Sequence, residues 1–127
     1  IFVKNKTDLN IQIVYNNNII FKMDNYIYHA TLDSKQAYQE YIKYSSKIII
    51  NEKIKPLFEI FMNYVKNHDC YHIKNNHDTI LNLFDVSTLD YNLIENIDIN
   101  VNKTEMKNVC ALIDYIILFK NILINKL

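Results

Sequence analysis

The chain has 127 residues, the size of one compact domain, and its 14 lysines balance 14 acidic residues. Isoleucine (22) and asparagine (19) fill 41 positions, while glycine, arginine and tryptophan are absent. That excludes a P-loop, a dinucleotide fingerprint, a glycine-elbow nucleophile and a guanidinium fork for phosphate or guanine, and the balanced charge draws in neither nucleic acid nor an anionic membrane.

Ile, Asn, Lys and Tyr share A/T-rich codons, so their abundance alone carries no functional signal. An apolar fraction of 50% is globular rather than disordered. The longest membrane-like stretch, Val109 to Phe119, holds 11 residues and contains Asp114. A bilayer span takes roughly 20 apolar residues, so this stretch reads as a buried helix. Ile1 to Leu9 carry Lys4, Lys6 and Asp8 and lack the apolar core of a signal peptide. Cys70 and Cys110 make no disulfide framework, and Cys110 reads as a small core residue on the apolar face of its helix. The sequons Asn5-Lys6-Thr7 and Asn102-Lys103-Thr104 are close to the roughly one expected by chance in so asparagine-rich a chain. The expectation is an intracellular protein, cytoplasmic or nuclear.

The first third reads as a β-hairpin. Ile11 and Ile13 alternate with Gln12 and Val14, Asn16-Asn17-Asn18 interrupts, and Ile19 to Met23 follows with Phe21 and Met23 on one face. Asparagine is the best substitute for glycine where a hairpin turn needs positive φ. Asp33 to Tyr44 reads as a helix, with Asp33 and Gln36 in a capping-box pattern and Tyr38, Tyr41, Ile42 and Ser45 on one face. On that helix Tyr41 is expected in the core and Tyr44 at the surface. Ser45-Ser46 ends the helix, and Lys47 to Asn51 is a β-prone run open to strand or linker. Pro56 suits the first turn of a helix whose apolar face runs from Leu57 to Val65. Asn67 to His77 reads as polar and irregular; Asp78 can cap a short helix carrying Ile80, Leu81, Leu83 and Phe84, and Leu89 to Ile94 can add another turn.

Ile97, Ile99 and Val101 alternate with Asp98 and Asn100, a short strand. Asn102 and Glu105 form a second capping-box pattern, ahead of a last helix from about Lys103 to the end. That helix is apolar nearly all round, so it is either central to the fold or covered by a partner.

One cluster has the composition of a metal site: His68, Cys70, His72 and His77, with Asp69 and Asp78 beside them. Zinc takes four Cys and His ligands in a tetrahedron, and the spacing His-x-Cys-x-His-x4-His matches no standard finger. The plainer reading is a polar loop between helices. Catalysis by Cys70 would need a base and an orienting acid brought together by the fold, and the acids are scattered singly, so no enzyme is specified. Ten tyrosines without a basic groove do not make a single-strand stacking platform.

Hairpin, helix, insertion, strand and long helix follow in the order of the Skp1, elongin C and BTB/POZ fold family, which the chain resembles. The first matching block is Ile11-x-Ile13-x-Tyr15-Asn16-Asn17-Asn18-x-x-Phe21-x-Met23, similar to the family's opening strand, turn and x-x-Phe-x-Val. Ala30 to Ile42 falls where the family's first helix lies. The second block is Ile97-Asp98-Ile99-Asn100-Val101, then Met106-Lys107-Asn108-Val109-Cys110-x-x-x-x-Tyr115, which resembles the third strand and following helix, most of all those of elongin C. The match covers about half the chain. It departs from the family pattern in residues 45–95, an insertion longer than the family's loop, and at Leu127, where the family continues into helices that hold receptor-box partners.

The resemblance implies an α+β fold, a small hairpin-led sheet packed with helices, as one domain over residues 1–127 with a helical insertion at 45–95. It implies a non-catalytic adaptor, without a cofactor, that bridges a cullin-type ubiquitin-ligase scaffold to a substrate receptor. Tyr115 and Phe119 are the positions it assigns to the scaffold-binding surface. If the further helices are absent from the protein, scaffold binding is the better supported of the two contacts. Two other readings stand beside it: a small metal-binding protein using the 68–78 cluster, and a mostly helical subunit or effector of a larger complex in which the predicted strands are mistaken.

Overall fold

A computed structural model describes residues 12–15, 18–22, 33–85, 87, 89–102 and 104–125. Ile11, Asn16-Asn17, Met23, Ala30, Lys103, Leu127 and the sequon at Asn5 lie outside the described residues. The fold is mixed: six helices and four strands are described, the strands forming one sheet in the order β2-β1-β4-β3.

Strands β1 (Gln12–Tyr15) and β2 (Asn18–Lys22) form the expected hairpin, with Ile13 opposite Phe21 and Tyr15 opposite Asn18. Strand β4 (Asp98–Asn100) runs parallel to β1, Ile13 beside Ile99 and Val14 beside Asn100. On its other side β4 pairs antiparallel with β3 (Ile48–Ile49). The ambiguous Lys47–Asn51 run therefore contains an edge strand. The alternation in β4 is realised: Ile97, Ile99 and Val101 are buried while Asp98 and Asn100 are half-exposed. Strands form at 12–15, 18–22 and 98–100, so the mostly helical reading is wrong only in taking the predicted strands as mistaken.

Helix α1 (Ser34–Tyr44) starts where Asp33 accepts the Gln36 backbone N–H at 3.0 Å. Its inward face differs from the expected one. Ser34, Ala37, Glu40 and Tyr44 are buried, Tyr41 is half-buried, and Ile42 stands 61% exposed. Tyr44 thus belongs to the core rather than the surface. Ala37 is fully buried, and Glu40 is drawn inward by hydrogen bonds that a hydropathy pattern does not contain.

Helix α2 (Lys55–Lys66) opens with Pro56 in its first turn and buries Phe58, Phe61, Met62 and Val65, the i, i+3, i+4, i+7 face. The segment read as irregular contains a helix, α3 (Cys70–Lys74), because Asp69 caps it by accepting the His72 N–H at 2.8 Å. Helix α4 (His77–Leu81) follows; Asp78 lies in its first turn and is not its cap, since Asn76 occupies that position. Helix α5 (Tyr91–Glu95) is capped by Asp90, which accepts from the N–H groups of Asn92 and Leu93.

The capping box at Asn102 forms in both directions: Asn102 Oδ1 accepts the Glu105 N–H at 2.9 Å and Glu105 Oε1 accepts the Asn102 N–H at 3.2 Å. It starts a 3-10 turn, Met106–Asn108, and not the last helix directly. Helix α6 (Cys110–Ile124) begins after it, seven residues later than expected. Every residue from Tyr115 to Leu123 is buried. Helices α1, α4 and α5 all pack on α6, so the helix apolar on both sides is central to the fold and covered by this chain's own elements. Residues 45–95 supply Ile54, Phe58, Phe61, Met62, Val65, Ile73, Ile80, Phe84 and Ile94 to the same core as α6.

Candidate functional site

The two positions assigned to a partner surface, Tyr115 and Phe119, are both fully buried. Phe119 sits inside an aromatic cage: its ring centroid lies 5.1 Å from Phe58, 5.2 Å from Phe61 and 5.8 Å from Phe84. The contacts with Phe58 and Phe84 are edge-on, a favourable arrangement of aromatic quadrupoles. Tyr115 lies 6.2 Å from Phe61 on the same helix face. Burial, with Cys70, Asp33, Asp114 and Asp69 adding to it, holds its hydroxyl well above the usual tyrosine range. Neither side chain is presented to a partner, which corrects the sequence reading. A pattern of apolar residues does not distinguish an anchor on a surface from an anchor in a core.

The His/Cys cluster forms a packed corner instead of a ligand set. His68 stacks on Tyr64 at 3.9 Å and on His72 at 4.3 Å, with the two imidazoles only 16° from parallel. His68 Nδ1 lies 2.9 Å from the Tyr64 carbonyl oxygen and therefore carries the proton and donates. His72 Nε2 shares a 2.6 Å hydrogen bond with the Tyr64 hydroxyl. Lone pairs lie in the plane of an imidazole, so near-parallel stacked rings do not aim theirs at one ion. Cys70 opens α3 half-buried, and His77 sits one helix further on. Among the described residues no group of three or more His, Cys, Asp or Glu side chains could hold a metal ion. His68, Cys70, His72 and His77 are accordingly withdrawn as ligands; the first and third fasten α3 to the end of α2.

Two buried charges that the sequence reading missed hold the helices to one another. Glu40 of α1 accepts the backbone N–H of Leu112, in the first turn of α6, at 2.9 Å. Its second oxygen accepts from Gln36 Nε2 at 3.0 Å. The N-cap residue of α6, Val109, has no side-chain acceptor, so a carboxylate 72 residues earlier does that work. Lys120 of α6 donates to the carbonyl oxygens of Glu95 at 2.8 Å and Ile97 at 3.2 Å, where α5 ends and β4 begins. Burial pushes its ammonium down to about 8, against the opposing pull of Asp98 and Glu95. A signal for Lys120 was available: it is the one charged residue between Asp114 and the end of α6. Glu40 offered none, because acids at such helix positions are usually solvated.

Cys110 is exposed rather than a core residue, its thiol donating to the Met106 carbonyl at 3.5 Å. Burial, Glu40 and Asp114 push that thiol up, away from the reactive thiolate. The surface carries a groove of about 280 Å³ between the end of α1, β3 and the start of α2, floored by Tyr41, Ile48, Ile50 and Phe58. Among the described residues no helix is long and apolar enough to cross a membrane. No family model, curated protein or solved structure matches this chain.

Proposed function

We propose that this chain is a protein–protein interaction module resembling the Skp1, elongin C and BTB/POZ family, acting as a non-catalytic adaptor in a cullin-type ubiquitin-ligase assembly. The observation that carries the reading is spatial. The two sequence blocks that resemble the family, 11–23 and 97–115, lie far apart in the chain, yet β1 of the first pairs directly with β4 of the second. The hairpin and the returning strand thus share one sheet, and α1 packs on the long helix. Among the described residues no group of three or more His, Cys, Asp or Glu side chains could hold a metal ion, which counts against the metal-binding alternative.

The buried state of Tyr115 and Phe119 changes how this is tested. Phe119→Ala deletes a core aromatic, a change that costs about 3–5 kcal/mol, so any loss of binding would report unfolding. The decisive experiment is titration of the unaltered chain, its fold verified by circular dichroism, against a purified cullin amino-terminal region in a calorimeter. A one-to-one complex supports the adaptor reading. Folded protein that releases no heat and does not co-migrate with the scaffold removes it.

A further inference from the structure

We draw no further inference here: the strongest candidate, the apolar groove between the end of α1, the edge strand β3 and the start of α2, has rim charges, Lys55 and Glu59, that offset each other, and nothing in the structure shows what covers it.

Discussion

Lys120 lies inside a run of nine consecutive buried residues, 115–123, and its charge survives there because two carbonyl oxygens receive it. One of them, that of Glu95, is at the C-terminus of α5, where the helix dipole favours a cation. Those contacts do not fully offset desolvation, and the ammonium is held at about 8 against the ordinary 10.5. The sign of the consequence follows from proton counts. Between those two values the unfolded chain binds a proton that the folded chain does not, so raising the pH favours the folded state. Stability should climb from pH 8 toward 10, where exposed tyrosines of the unfolded chain begin to ionise. The slope for one proton is at most about 1.4 kcal/mol per pH unit. Urea midpoints measured across that window check it: the wild type should rise relative to Lys120→Met, which keeps only the opposing effect of the raised Cys110 thiol. Equal slopes in the two proteins would refute the buried-ammonium account.

At the scale of elements, asparagine side chains close three of the helices in a chain that has no glycine. Asn67, Asn75, Asn82, Asn96 and Asn125 occupy the C-cap positions of α2, α3, α4, α5 and α6. Their φ values lie between −64° and −104°, so none adopts the left-handed conformation that glycine favours. Asn67, Asn75 and Asn96 instead turn their amides back to the carbonyl four residues earlier, at 2.9, 2.7 and 2.9 Å. Abundant asparagine thus stands where its side chain closes a helix. Asn67→Ala should cost about 0.5–1 kcal/mol, and Asn67→Gly at least as much, since glycine restores neither the hydrogen bond nor a needed φ. Chemical denaturation of both variants tests this; rescue by glycine would contradict it. The opposite terminus of α6 depends on Glu40. Glu40→Ala leaves the Leu112 N–H buried without its acceptor and should cost about 1–3 kcal/mol. Glu40→Gln keeps an acceptor and forfeits only the charge, so it should cost clearly less. Equal losses in the two variants would mean that acceptance of the Leu112 N–H is not what Glu40 contributes.

For the whole molecule, the stretch that reads as an insertion is inseparable from the rest. Phe58, Phe61 and Phe84 surround Phe119, and α4 and α5 pack directly on α6. Unfolding should therefore be one cooperative event, with far-UV circular dichroism and tyrosine fluorescence following the same denaturation curve. Two separated transitions would show that residues 45–95 fold as a unit of their own. Much of the architecture was legible in the chain. The alternation at 97–101, the hairpin strands at 12–15 and 18–22, Pro56 at a helix start and the Asn102–Glu105 box each depend on residues within a few positions of one another. What sequence alone determined is that local layer, because backbone hydrogen bonds, caps and side-chain periodicity are short-range. Tertiary structure decided the rest: which face of α1 turns inward, that α6 is enclosed, and that Tyr115 and Phe119 are core. Those outcomes hinge on partners 23 to 72 residues away, as for Lys120 with Ile97 and Glu40 with Leu112, and a buried charge is tolerated only where such a distant group satisfies it.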